Sequence, residues 1–447
     1  MSTAEIEYTG QTFEELLPML RASGDPVCTL VAEQRPALAI VTAAQLVPMI
    51  LVSQAKAFTK GRNTQLWPAF IGDGTAIRKP LAETTAAEVV SEITTWRRYL
   101  RRSIIGRLSG SRLSDYRQRL VPALDTLAAD WVAEPGRDLL EDSRRLAFLT
   151  VLYSFGAPEL TDDLSLVDSV LFDSRQTAYD WMQQENGRAA GGSSQCPAGH
   201  GSASDVVVES RFAAREAAVK TAFESVIAHS ARADTVFGDI AQAVASYPDL
   251  PVRAAGDQAR AFFAAALQNM TTTLTWLMWH VAADKSVQDR LLQSEDGRYA
   301  DAVVSETLRL HPPSWSIPRE SMVPLRIAGT EYARGTVFVT SPLIQHFQPA
   351  AWPRPEEFDP ERFTTERGAD GTYFPFGLGV RRCPAQSFAR QQAGLLIRSI
   401  VRDWELTLAD PEQMPAHLLG VELDSVTSKP VRFHATARQP KGRHAEQ

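Results

Sequence analysis

The stretch "FPFGLGVRRCPAQ", residues 374–386, sets two glycines and two arginines before a single cysteine that a proline closes off. A cysteine thiolate is a strong electron donor to a metal, and its charge persists only where nearby donors and cations stabilise it. This loop supplies both. Gly377 and Gly379 permit turn dihedrals and close backbone approach, so amide N–H groups can point at the sulfur. Arg381 and Arg382 place positive charge within two residues of Cys383, and Phe376 offers an apolar lid. Pro384 removes a competing N–H and suits the first turn of the helix predicted over "AQSFARQQAGLLIRSIV". Taken alone, the stretch also fits a buried cysteine in a glycine turn.

Upstream, "VVSETLRLHPPSW" places Glu306 and Arg309 three apart on one helical face. An isolated pair of that kind is usually a solvated surface pair. Here "WPRPEEFDPERF", residues 352–363, follows it and the cysteine loop comes next. This ordered set resembles the cytochrome P450 family: ExxR as Glu306 and Arg309, PERF as Pro360, Glu361, Arg362 and Phe363, and FGxGxRxC as Phe376, Gly377, Gly379, Arg381 and Cys383. The resemblance extends through the C-terminal half and, more loosely, to "WRRYLRRSIIGRLSGSRL" from Trp96. It implies a mainly α fold with a small β region, a long central helix over haem b, and a single domain over residues 1–447. It also implies Cys383 as the axial thiolate of the haem iron, and a buried charge network of Glu306, Arg309 and Arg362 that holds the cysteine loop. Arg101, Arg319 and Arg381 are the implied partners of the haem propionates, since a planar guanidinium suits a carboxylate. Arg97 and His346 are further candidates, and Phe376 also borders the cofactor. In this family the thiolate's electron push favours O–O cleavage, with electrons from NAD(P)H through ferredoxin reductase and ferredoxin. Pro384 and Ala385 depart from the family's usual residue-plus-glycine after the cysteine.

The family's central helix usually carries an acid and a threonine that manage proton delivery. The corresponding text here is "AAALQNMTTTLTW". Aligning Thr271 with the family threonine puts Gln268 at the glycine and Met270 at the acid, and in no frame does a carboxylate appear between Asp257 and Asp284. Thr272 and Thr273 fit a core helix whose hydroxyls bond back to the preceding turn. Gln268 and Asn269 are costly in a buried helix unless something pairs with them, and a substrate carrying amides would do so. Thr271, Gln268 and Asn269 are therefore the candidate catalytic residues. Candidate substrate contacts are Gln65, Trp67, Phe70 and Ala86 in the segment before the third long helix, Phe263, Leu267 and Gln268 on the central helix, and Trp315, Ser316 and Ile317 after the ExxR helix. An amide-rich pocket without the acid most resembles the actinobacterial members that couple tryptophan-containing cyclic dipeptides, holding two substrate molecules at once. The alternatives are a monooxygenase hydroxylating a small natural product and a non-catalytic haem sensor or carrier.

Composition narrows the partners. Lys plus Arg total 46 against 53 Asp plus Glu, a net charge of −7, which does not favour nucleic acid or an anionic membrane. Eight arginines and one acid, Asp115, lie between Arg97 and Arg119; in the family this helix borders the face where an acidic ferredoxin docks. Cys28, Cys196 and Cys383 are odd in number and lack CxxC spacing, so neither a disulfide framework nor a zinc site is indicated. The start "MSTAEIEYTGQTF" lacks the basic and apolar regions of a signal peptide. "ALAIVTAAQLVPMILV" from Ala37 is cut by Thr42, Gln45 and Pro48, short of the ~18 apolar residues of a span. These features predict a soluble, cytoplasmic monomer. Periodicity predicts helices from Trp96 to about Leu310, strands in "PALAIVT", a hairpin within Val323–Thr340 around Gly329, and a loop over "ENGRAAGGSSQCPAGHGSAS", residues 185–204.

Overall fold

The structure, a computed structural model, describes residues 4–8, 13–32, 37–59, 112–133, 136–155, 221, 223–229, 234–245, 253–294, 296–365, 371–415 and 430–438. Along the chain the elements are β1 (Glu5–Tyr8), α1 (Phe13–Ala22), β2 (Val27–Ala32), β3 (Leu38–Val41), β4 (Phe58–Thr59), α2 (Arg112–Ala133), β5 (Arg137–Asp138) and α3 (Leu139–Phe155). They continue as α4 (Val236–Ala245), α5 (Arg253–Ala283), α6 (Lys285–Gln293), α7 (Arg298–Leu310), β6 (Ile317–Ser321), β7 (Leu325–Ile327), β8 (Thr330–Tyr332) and β9 (Val337–Thr340). The last are α8 (Pro342–His346), α9 (Gln386–Asp403), β10 (Trp404–Leu408) and β11 (Arg432–Ala437). Helix dominates, as the sequence predicts. The expected loop at 185–204, with Cys196 and His200, lies outside the described residues. No described helix is long and apolar enough to cross a membrane.

The chain divides into two compact units. Met1–Leu66, Thr272–Gly420 and Val431–Gln447 form the first, and Trp67–Thr271 with Val421–Pro430 the second. In the first unit a six-stranded sheet runs β1-β2-β3-β9-β6-β4. β3 lies parallel to β9, with Leu38 opposite Val337 and Val41 opposite Thr340, while β6 and β9 are antiparallel. The strands are rich in β-branched residues, and successive side chains point to opposite faces. Val27, Ala39, Val41 and Phe338 accordingly enter a core with Ile50, Leu51, Phe58 and Phe374, whereas Cys28, Ile40 and Val339 enter a second core with Leu16, Leu20 and Ile344. Burial of both faces is why "LAIV" reads as an unbroken apolar run. The stretch from Ala37 is thus β3 followed by short helical turns at Leu46–Pro48 and Met49–Ser53.

The expected hairpin is shorter than predicted. β7 and β8 pair around Ala328 and Gly329, whose φ values of 50° and 86° make the two-residue turn that follows the twist of the strands. Val337–Thr340 instead joins the main sheet. The sequence reading missed β2, "VCTLVA", and the antiparallel pair β10–β11.

In the second unit Asp138 starts α3 by accepting from the Leu140 and Glu141 N–H groups at 2.9 and 3.3 Å. Arg137 grips the fully buried Asp142 in a bidentate pair at 2.7 and 2.8 Å. Phe148, Phe155, Phe223 and Phe237 surround Phe263 on α5, with ring centroids 5.7–6.3 Å from it.

Candidate active site

The helix α7 begins after Gly297, whose φ of 74° turns the chain into it, and it buries nearly every residue, packing on α9. Burying Glu306 and Arg309 at 0% exposure demands that each charge be matched. Arg309 Nε and Nη2 donate to the two Glu306 carboxylate oxygens at 2.8 Å each. The remaining guanidinium N–H groups donate to the carbonyls of His346 (2.9 Å), Pro355 (2.7 Å) and Glu357 (3.1 Å). Glu306 Oε1 also accepts from the Asp359 N–H at 3.0 Å and from Arg362 Nε at 3.3 Å. Arg362 in turn donates to the carbonyls of Pro353 and Arg354. Glu306, Arg309 and Arg362 are thus brought together as the sequence predicts. Among the described residues their hydrogen bonds reach residues 346–359, however, and none reaches 374–386.

His346 corrects an expectation. Its ring accepts the Phe374 N–H at Nε2 (3.0 Å), so the proton sits on Nδ1, which donates to the Arg309 carbonyl at 2.9 Å. Both nitrogens are committed to backbone and the residue is fully buried, so it joins α7 to the entry of the cysteine loop rather than meeting a propionate. Burial first, then the Arg309 charge, depresses its pKa to about 3, against the opposing effect of its backbone bond. His280 is depressed to about 3 by burial and the same charge. Both folded values lie below the usual 6.5, so the unfolded chain binds more protons between these limits and stability falls as pH drops from 6.5 towards 3. Near pH 5 each histidine should contribute a slope of about 1.4 kcal/mol per pH unit. Urea unfolding at pH 7.5 and at pH 5 checks this, and equal midpoints would overturn it.

The cysteine loop is held by its own backbone. Gly377 N–H donates to the Phe374 carbonyl (2.9 Å), Arg382 N–H to Gly379 (3.1 Å) and Cys383 N–H to Phe376 (2.9 Å). Gly377 and Gly379 both adopt φ 69°, the left-handed region where glycine is unstrained. A single turn at Gly379–Arg381 leads to Cys383, which is half-buried, and α9 begins at Gln386. The two glycines differ in surroundings. A Cβ on Gly379 would overlap the Leu51 carbonyl oxygen, whereas one on Gly377 would meet Ile317 Cδ1 at 3.6 Å. Gly379→Ala should therefore cost about 2–4 kcal/mol and Gly377→Ala about 1–2 kcal/mol. Denaturant midpoints of the two variants check the order, and equal costs would count against it.

Arg319 on β6 is 9% exposed and donates to the Pro318 carbonyl at 2.7 Å. Burial, and then the like charge of Arg381, lowers its pKa to about 10. Two guanidinium groups that repel one another form a place suited to carboxylates. The half-buried thiol, the glycine backbone and this cationic pair fit a haem with its propionates. Phe376, also half-buried, bonds the Cys383 N–H through its carbonyl. Ile317 is half-buried beside Gly377, and Trp315 and Ser316 are half-buried just before it.

The residues expected on α5 belong to the second unit except from Thr272 onward. Thr271 is buried, and its hydroxyl donates to the Leu267 carbonyl at 2.8 Å. Gln268 is half-buried, but Asn269 is exposed, so the expected cost of burying both amides applies to Gln268 alone. Leu267 is 5% exposed. Phe263, expected against substrate, is at 0% exposure inside the phenylalanine cluster and is a core residue. Arg97, Arg101, Gln65, Trp67, Phe70 and Ala86 lie outside the described residues.

Residues 257–434 match the family model described as Cytochrome P450. A putative cytochrome P450 135A1 from Mycobacterium tuberculosis is 31% identical over 160 residues, 35% of this chain and 36% of that protein. Cyclooctatin synthase from Streptomyces melanosporofaciens is 30% identical over 168 residues, 34% of this chain and 37% of its own length. The chain thus spans about a third of the length of the curated relatives it matches. Similarity of fold is more extensive. A retinoic acid-bound cyanobacterial CYP120A1 superposes with a TM-score of 0.68 at 17% identity, covering 92% of each chain. A six-coordinated cytochrome P450 from Thermus thermophilus gives 0.65 at 21% identity, covering 97% of this chain and 100% of that one. Residues 257–434 therefore match the cytochrome P450 family model, and the chain carries the cytochrome P450 fold.

Proposed function

We propose that this protein is a haem-thiolate oxidoreductase of secondary metabolism that joins two molecules of a tryptophan-containing cyclic dipeptide without inserting oxygen, Cys383 being the thiolate ligand. The haem, when bound, supplies the oxidising power, with electrons from NAD(P)H through ferredoxin reductase and ferredoxin. One observation carries the coupling reading: α5 holds no carboxylate between Asp257 and Asp284, and Met270 stands where the resemblance places the proton-delivering acid. The helix offers the half-buried amide of Gln268 instead, a group that pairs with the amides of a cyclic dipeptide. Thr271 commits its hydroxyl proton to the Leu267 carbonyl, so its oxygen serves as an acceptor. The remaining task of the chain is orientation, since two substrates held in contact react as if at a high effective molarity.

Hydroxylation of a small natural product is the second reading, favoured by the retention of Thr271 at the family's threonine position, with water replacing the acid. A non-catalytic haem carrier is the third, and it predicts no turnover with electrons supplied. The test supplies tryptophan-containing cyclic dipeptides, ferredoxin, its reductase, NADPH and isotopically labelled dioxygen. The expected product has the mass of two joined molecules less two hydrogens, with no labelled oxygen; a monomer carrying one labelled oxygen establishes hydroxylation. Met270→Glu should raise the oxygenated share, and an unchanged product ratio would remove the mechanistic weight of this position.

A further inference from the structure

Among the described residues the ExxR side chains make no hydrogen bond to the cysteine segment, yet the helix that carries them does. Ser305, one residue before Glu306, is 1% exposed. Its backbone carbonyl accepts from the Tyr373 hydroxyl at 3.0 Å, and its side-chain hydroxyl accepts from Arg390 Nη2 at 2.8 Å. Tyr373 enters the cysteine loop and Arg390 lies on α9, which leaves it. The Ser305 hydroxyl proton is directed away, to the Asp301 carbonyl at 2.6 Å, so its lone pairs face the guanidinium. Among the described residues Arg390 Nε is buried without a partner and the Asp301 carboxylate is 4.0 Å from Nη2, so Ser305 makes the short bond of this side chain there. Burial pushes the Tyr373 phenol well above its ordinary pKa, which keeps it the neutral donor.

We propose that Ser305 is a positioning residue that clamps both ends of the cysteine segment to α7, a brace separate from the Glu306–Arg309–Arg362 network. The proposal rests on the reading of Cys383 as the haem thiolate. Hydrogen bonds at both ends of a loop limit the excursions of the residue between them, here the sulfur. The clamp therefore acts on how firmly the thiolate stays in place, through backbone and guanidinium rather than by contact with the cofactor.

The geometry predicts a particular pattern of coupling. Ser305→Ala and Arg390→Met remove the same bond, so the double variant should be no worse than either single one. Tyr373→Phe removes a bond to a backbone carbonyl that alanine retains, so its effect should add to that of Ser305→Ala. The readout is the fraction of haem protein that loses the thiolate-type Soret band of its reduced carbon monoxide complex at a fixed, sub-denaturing urea concentration. Each single variant should raise the ratio of lost to retained band about fivefold, the worth of one hydrogen bond. Phe237→Leu, in the second unit, supplies a control of lowered global stability that should leave this ratio near that of the wild type. Ratios at wild-type level for Ser305→Ala and Arg390→Met, or full additivity of that pair, would overturn the clamp while leaving the thiolate reading intact. A wild-type protein with no thiolate-type band would overturn the ligand assignment, and the clamp with it.

Discussion

Glu306→Ala should lower the stability of the first unit by about 3–5 kcal/mol, because it leaves a guanidinium buried at 0% exposure without its counter-charge. Arg309 would keep its bonds to the His346, Pro355 and Glu357 carbonyls, but neutral carbonyls do not replace a carboxylate. The Asp359 N–H and Arg362 Nε would lose their acceptor in the same step. Denaturant unfolding of purified protein is the measurement, and a loss below about 1 kcal/mol, the worth of a surface pair, would show that the network is not as buried as described. The double replacement Glu306→Met with Arg309→Met should cost less than Glu306→Ala, since it leaves no charge without a partner.

The second large effect concerns function rather than stability. Cys383→Ala should abolish the thiolate-type Soret band of the reduced carbon monoxide complex, while the unfolding midpoint of the haem-free protein changes little, because the side chain is half-buried and the loop is held by backbone bonds to the carbonyls of Phe374, Phe376 and Gly379. The expected stability change is within about 1 kcal/mol. Retention of the band would overturn the ligand assignment. A collapse of the unfolding transition would mean that the sulfur itself, and not the glycine backbone, organises the loop.

Much of this site was legible because its requirements are local. A thiolate at the end of a tight turn needs glycines at fixed offsets, and Gly377 and Gly379 occupy the left-handed positions that the spacing implies. The spacing of Glu306 and Arg309 puts them on one helical face, and their bidentate contact follows from it. The alternation and central glycine of residues 323–340 likewise mark a hairpin, although only 325–332 form it and the fate of Val337–Thr340 depends on a partner strand far away in sequence.

Local sequence therefore specifies the chemistry of short stretches: the cysteine loop, the acid–arginine pair, the missing carboxylate of α5 and the periodicity of the helices. Tertiary structure alone decided the assignments that depend on distant neighbours. His346 resembles a cofactor contact until its two nitrogens are seen to meet the Arg309 carbonyl and the Phe374 N–H. Phe263 could have faced a pocket on periodicity, and four other phenylalanines enclose it. Ser305 carries no motif at all, and its place between Tyr373 and Arg390 arises only from the packing of α7 on α9. The physical reason is common to all three: a side chain's hydrogen-bond and packing partners are set by whichever segments burial brings beside it, and spacing along the chain specifies those partners only within a turn or two of helix.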